Sequence, residues 1–151
     1  MINILIAEQF QGAIDSLSLE KAALAALSEQ NLQEDTNLSI VIDGDQQLQA
    51  LNLEFLGIDS PTDVLSFLED ELDPDTEQRY LGDIIISYPQ AEKQAAIAGH
   101  TTKSELDLLV VHGVLHLLGY DHSTDEEKVK MWGMQKDVLL KLGSDIKKFP
   151  D

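Results

Sequence analysis

The sequence predicts one α+β domain over residues 1–151, in which a mixed β-sheet is packed against helices. Strand-like and helical segments follow one another along the chain, and no internal repeat, low-complexity tract or linker separates them. A chain of 151 residues with 43% hydrophobic residues is also long enough to bury one core without cross-links. These observations favour a single sheet with helices on it, formed by the whole chain.

Four segments have the apolar pattern of β-strands bounded by turn residues. The last is the clearest, because Ile84, Ile85 and Ile86 follow one another and indicate burial on both faces of the sheet. The stretch from Glu69 to Arg79 is acidic, contains Pro74, and is predicted to be an exposed loop or the tip of a hairpin. The predicted strands are Ile2 to Ala7, Asn37 to Asp43, Val64 to Leu68 and Leu81 to Ser87.

Five segments have helical spacing or helix-terminating residues. Thr124 is followed three residues later by Glu127, which predicts a capping box for the last helix. The tail from Ser144 to Asp151 is predicted to fray. The predicted helices are Leu17 to Gln30, Asp45 to Phe55, Pro89 to Ala98, Ser104 to Leu118 and Thr124 to Leu142; candidate N-caps for the others are Ser16 or Ser18, Asp45 and Ser104.

Three of the four histidines lie in one short segment, His112-Gly-Val-Leu-His116-Leu-Leu-Gly-Tyr-Asp-His122. His112 and His116 are four residues apart, so on a helix both imidazoles leave the same face. Gly119 can adopt the left-handed conformation that ends a helix, and the chain can then return His122 to the pair. Three imidazoles with an open fourth position are typical of catalytic zinc. The segment therefore predicts one Zn²⁺ per chain, at a site that also accepts nickel or copper.

The histidine spacing is that of the metzincin pattern H-E-x-x-H-x-x-G-x-x-H, with one difference. Gly113 stands where a zinc peptidase has the glutamate that takes a proton from zinc-bound water. A pair of histidines four apart could arise by coincidence, but a third just past a glycine favours a metal site. The residues therefore indicate a zinc hydrolase and argue against an ordinary zinc peptidase.

The same histidine segment resembles the signature of the YbeY family, bacterial rRNA maturation factors and metal-dependent endoribonucleases. Two other segments fit this family in order and spacing, Ser60 to Phe67 and Leu81 to Ser87. The resemblance implies a zincin-like metal-binding helix and zinc-dependent cleavage of single-stranded RNA, in 16S rRNA 3′-end maturation and ribosome quality control. It also implies that the partners are rRNA within a ribosomal particle and ribosomal small-subunit proteins.

One departure from the family concerns RNA binding. Family members often carry an arginine just upstream of the Pro-Thr-Asp segment, where it is thought to face the phosphate backbone, and this chain has Leu56 there. The chain has 10 Lys and Arg against 28 Asp and Glu, a formal net charge of −18. Such a chain repels RNA at long range, so we expect weak binding to naked RNA.

Several polar residues are candidates for roles near the metal. Asp83 lies early in a strand predicted to be buried, where an ionised carboxylate is costly. It is our preferred candidate for a polar group near the metal and so our catalytic candidate, with capping of the next turn as the alternative. Asp121 could orient a ligand imidazole or cap the turn, whereas Asp63 fits turn chemistry better. Ser66 could line a groove, and His100 is predicted to be a loop residue and not a fourth ligand. The general base is unassigned.

Three functions therefore fit the sequence: a metalloendoribonuclease, a zinc hydrolase of another class such as a peptidase or amidase, and a non-catalytic ribosome assembly factor with a structural metal. Gly113 counts against the second, whereas Leu56 and the charge keep the third open. The segment Met1 to Glu8 has no basic residue and too short an apolar run for a signal peptide. With no cysteine and no apolar stretch that could span a membrane, the expected location is the cytoplasm.

Overall fold

The computed structural model describes residues 1–144 and residue 146, and its four strands form one mixed sheet. The strands are β1 (Ile2–Ile6), β2 (Thr36–Asp43), β3 (Val64–Leu72) and β4 (Arg79–Ser87). Their order across the sheet is β1-β2-β4-β3; the first three are parallel, and β3 pairs antiparallel with β4 at the edge. The predicted α+β class with a mixed sheet is confirmed.

Five α-helices pack on this sheet within the described residues, and none of them is both long and apolar enough to cross a bilayer. A short 3-10 helix, Glu8–Ala13, was not predicted from the sequence. The helices are α1 (Ser16–Ser28), α2 (Asp45–Leu56), α3 (Tyr88–Ala98), α4 (Thr102–Leu117) and α5 (Asp125–Lys141).

The two faces of the sheet are covered by different helices. Ile84 and Ile86 of β4 point into the main core, which contains residues of α1, α4 and α5. Ile85 points the other way, into a small cluster with Leu48 of α2. Since successive side chains on a strand alternate between faces, the run of three isoleucines is buried on both sides, as predicted.

Helix α4 is the central helix, because it is buried along most of its length against the sheet and three other helices. Gly113 allows this close packing: a Cβ atom at that position would lie 2.8 Å from Cγ2 of Ile84, too close for two carbon atoms. The helix carrying two of the candidate ligands is therefore fixed directly on β4.

The caps differ from the prediction for three helices. Asp15 and Thr101 are the N-caps of α1 and α4, with side-chain oxygens that accept bonds from Leu17 N and Ser104 N. The N-cap of α2 is Gly44, because the carboxylate of Asp45 instead accepts a 2.7 Å bond from Ser87 Oγ.

Other predictions hold or need extension. The capping box of Thr124 and Glu127 is confirmed. Of the two alternatives predicted for the acidic stretch, a loop or the tip of a hairpin, the structure shows the hairpin. β3 continues to Leu72, beyond its predicted end at Leu68. The tail expected to fray falls mostly outside the described residues, although Ile146 is only 7% exposed and packs in the core.

Candidate metal centre

Helix α4 and the turn after it bring three histidines together. The ring centroids of His112 and His116 are 4.6 Å apart. The ring centroid of His122 lies 5.6 Å from that of His112 and 5.0 Å from that of His116. Each ring offers one nitrogen, and the three nitrogens lie within 4.8 Å of one another. Gly119 has φ = +102°, the left-handed conformation expected of it, and this reverses the chain toward the pair. The three predicted ligands therefore form one cluster that could hold a metal ion.

A second residue orients the first of these imidazoles. Nδ1–H of His112 donates a 2.6 Å hydrogen bond to Oε1 of Gln135, which is 1% exposed on α5. This bond sets the tautomer and leaves Nε2 of His112 with the lone pair that a metal requires. Gln135 was not predicted from the sequence, because a glutamine in an amphipathic helix is ordinarily a surface residue.

Burial keeps two of the imidazoles in the form that binds metals. It lowers the pKa of His112 to about 4, against a smaller opposing effect of the bond to Gln135. Burial also lowers the pKa of His116, and the neighbouring His122 acts in the same direction. His112 and His116 are therefore neutral near pH 7, as metal coordination by imidazole requires.

The three histidines line a cavity of about 460 Å³ that opens to solvent beside β3. Leu56, the residue at the family's arginine position, lies on the rim with 59% of its surface exposed. Ser66 also lines this cavity, as expected of a groove residue. The site therefore has room for a substrate next to the imidazoles, and the position of Leu56 is close to it.

Asp63 is closer to the site than its sequence context indicated. Its Oδ1 accepts bonds from Val64 N at 2.8 Å and Thr62 Oγ1 at 3.4 Å, which is the predicted turn chemistry. The same side chain lines the cavity beside His112. The turn bonds hold this carboxylate next to the candidate metal ligands.

Asp121 and Asp83 do not reach an imidazole ligand through their hydrogen bonds. Asp121 accepts from His122 N at 2.8 Å and from Ser123 Oγ at 3.0 Å, so it stabilises the turn, and the bond from His122 N lowers its pKa. Asp83 lines a different groove, on the sheet face that α2 covers, opposite the face against which α4 packs.

The structure therefore does not support Asp83 as the polar group near the metal. Its carboxylate accepts a short hydrogen bond from the hydroxyl of Tyr80. Burial, together with this bond, raises the pKa of Tyr80 to about 12. The cost of placing Asp83 in a strand is thus offset by a local partner, and no catalytic role is needed to explain it.

Aromatic and basic side chains border the cluster on α5. The ring centroid of Trp132 lies 5.9 Å from that of His112 and 5.4 Å from that of His122. Nζ of Lys128 lies 5.9 Å from the Trp132 ring, and Nζ of Lys130 lies 5.7 Å from the ring of Tyr120. Lys128 therefore places a cation over the aromatic ring that borders the cluster, on a chain whose net charge is −18.

An α+β sheet with a buried helix that presents three converging imidazoles to an open cavity defines a class of proteins with a candidate catalytic metal site. A family model described as "Endoribonuclease YbeY" matches residues 6–143. The chain belongs to this family, and the resemblance of the three sequence segments is confirmed.

Individual relatives agree with this membership. An "Endoribonuclease YbeY" of Heliobacterium modesticaldum is 44% identical over 137 residues, covering 84% of this chain and 82% of its own. One from Chloroflexus aurantiacus is 45% identical over 136 residues, covering 85% of this chain and 88% of its own. A solution structure of a Thermotoga maritima protein is similar with a TM-score of 0.59 and 27% identity, covering 100% of this chain and 97% of that one.

Proposed function

We propose that this chain is a metal-dependent endoribonuclease that cleaves single-stranded RNA during rRNA processing, including 16S rRNA 3′-end maturation and ribosome quality control. The observation that carries the proposal is the convergence of three imidazole nitrogens within 4.8 Å, at a cavity open to solvent, in a member of an endoribonuclease family. Family membership supports RNA as the substrate class. The geometry of the histidine cluster supports its cavity as the place of cleavage.

The donor set fits one zinc ion, which His112, His116 and His122 would hold through one imidazole nitrogen each. When bound, such an ion supplies Lewis acidity and lowers the pKa of water in its shell. Nickel or copper would also be accepted by an all-imidazole site in vitro. The chain's part is to keep His112 and His116 neutral by burial and to fix His112 through Gln135.

Two side chains are placed to act on RNA beside the ligands. Asp63 lines the cavity next to His112 and replaces Asp83 as our catalytic candidate; we assign it the role of general base, which the sequence analysis left unassigned. Lys128, over the ring of Trp132, can contact a phosphate and partly compensates for Leu56. RNA also brings its own 2′-hydroxyl nucleophile, which lowers the demand on the protein for a second activated group.

The acidic surface favours action on a bound particle over action on free RNA. A chain with net charge −18 gains little non-specific affinity for a polyanion. We therefore propose rRNA within a ribosomal particle as the partner, with ribosomal small-subunit proteins supplying positioning contacts, in the cytoplasm.

The two alternative functions fare differently. A peptidase or amidase is disfavoured, because residue 113 faces β4 and not the cavity; a glutamate there would collide with Ile84. A non-catalytic assembly factor stays open as the second candidate, because Leu56 and the net charge both reduce contacts to RNA.

Cleavage of a labelled single-stranded RNA by purified protein tests the proposal. We expect cleavage by the zinc-loaded chain, loss of cleavage with chelator, and loss with His116→Ala. Leu140→Ala is the control, because Leu140 is 63% exposed on α5 and does not line the histidine cavity. Equal cleavage by parent and His116→Ala would overturn the proposal. If the zinc-loaded parent cleaves neither free RNA nor RNA in ribosomal particles, the endoribonuclease proposal is wrong, and the non-catalytic assembly factor is the remaining candidate function.

A further inference from the structure

A second cavity, of about 490 Å³, lies beside the metal-site cavity between the C-terminal end of α3 and the facing sides of α4 and α5. Its size lies within the range of about 300–1,000 Å³ typical of small-molecule sites. Most of its wall is apolar, with Leu108 and Leu109 from α4, Ile97 from α3, and the ring of Trp132 from α5. Nothing in the proposed cleavage uses this space.

The two cavities share a wall. Asp63 and His112 line both of them, so a molecule in the second cavity would be next to the candidate ligands. Leu108 and Leu109 precede His112 by about one helical turn, roughly 5 Å along the axis of α4. A group bound there would therefore be part of the same substrate molecule as a phosphate at the metal site, or part of a molecule directly next to it.

A buried polar pair lines the second cavity. Nε2–H of His100 donates a 2.6 Å bond to Oε1 of Glu105, and their side chains are only 6% and 5% exposed. Burial raises the pKa of Glu105, and the contact with His100 opposes this. The carboxylates of Glu105 and Asp63 both offer acceptors and would repel a phosphate. The cavity therefore suits an uncharged ring that donates hydrogen bonds.

We propose that this cavity binds the nucleobase of a nucleotide that flanks the cleaved phosphate, with the base packed against Trp132 and its amino group directed to Glu105. This inference rests on the proposed function. Flat bases pack well on aromatic and apolar side chains, and a carboxylate accepts from the N4 amino group of cytosine. Uracil has an oxygen at that position, which a carboxylate repels, so cytosine is preferred to uracil.

Trp132 is the only tryptophan in the sequence, so its fluorescence reports directly on the cavity. Cytidine 5′-monophosphate, uridine 5′-monophosphate and ribose 5-phosphate are titrated into the full chain in the presence of chelator. We expect saturable quenching by the cytidine nucleotide, at least about fivefold weaker binding of the uridine nucleotide, and no quenching by ribose 5-phosphate. Quenching by ribose 5-phosphate equal to that by the cytidine nucleotide would overturn the proposal, as would no quenching at all.

Two variants on α3 separate occupancy of the cavity from effects on folding. Ala98 is exposed and lines the cavity, whereas Ala96 is exposed and does not line it. Ala98→Leu narrows the cavity and is expected to weaken binding of cytidine 5′-monophosphate about tenfold, while Ala96→Leu leaves it unchanged. Equal binding by the two variants would contradict the assigned position of the base.

Glu105→Gln tests the recognition of the amino group separately. An amide can donate as well as accept, so we expect the preference for cytidine over uridine to shrink to less than about twofold. An unchanged preference in this variant would show that Glu105 does not read the base. Because all these titrations exclude metal, quenching without RNA cleavage would refute the proposed function alone, and cleavage without quenching would refute the base site alone.

Discussion

Replacing Leu56 with arginine is expected to add one phosphate contact at the edge of the metal-site cavity. Leu56 is 59% exposed there, so arginine fits without disturbing the core, and the C-terminal end of α2 favours a positive charge. One added contact should steepen the dependence of log K on log salt concentration by about 0.7 for single-stranded RNA. Since the contact is exposed, the gain should be about 0.2–1 kcal/mol, or up to roughly fivefold in affinity.

Fluorescence anisotropy of a labelled single-stranded RNA, measured over a series of salt concentrations, gives both quantities. Leu140→Arg is the matched control, because it changes the net charge by the same amount as Leu56→Arg. Leu140 is 63% exposed and lines neither cavity. Metal content should be the same in all three proteins. A Leu56→Arg protein with the affinity and salt slope of Leu140→Arg would refute the placement of RNA along this edge.

Three further predictions concern the histidine site. Gln135→Leu removes the acceptor of His112 and should weaken zinc affinity about 10- to 100-fold in a competition titration. Gly113→Ala should lower the thermal midpoint, with a cost of about 1–3 kcal/mol from overpacking on Ile84 that exceeds the gain in helix propensity; an unchanged midpoint would contradict this. In metal-free protein, the unfolded chain takes up a proton at residue 112 below pH 6.5 and the folded chain only near pH 4. Denaturant unfolding should therefore show stability falling by up to about 3 kcal/mol over that range, with a flatter slope in His112→Gln.

The metal ligands could be predicted from the sequence because local geometry determines them. His112 and His116 are four residues apart on one helix, and Gly119 reverses the chain, so no long-range packing is needed to bring His122 to them. The capping box at Thr124 was predictable for the same reason. Patterns confined to about ten residues were enough for these features.

The features that were missed depend on tertiary packing. Strand alternation places Asp83 on the same face as Ile85, but which face α4 covers is decided by the topology of the whole sheet. Gln135 on α5 contacts His112 on α4, which lies 23 residues earlier in the chain. No short sequence pattern indicates such a contact. The extension of β3 into an acidic stretch likewise depends on its pairing with β4.

The coordination of zinc tests the account most directly. X-ray absorption spectroscopy on zinc-loaded protein, together with elemental analysis, gives the number of metals, the number of imidazoles and their distances. We predict one zinc per chain, three imidazole nitrogens at about 2.0–2.1 Å and one light atom from solvent or buffer. The same experiment on His116→Ala should show stoichiometric zinc lost or one imidazole fewer. No stoichiometric metal in the parent, or a zinc with fewer than three imidazoles, would contradict the site formed by His112, His116 and His122.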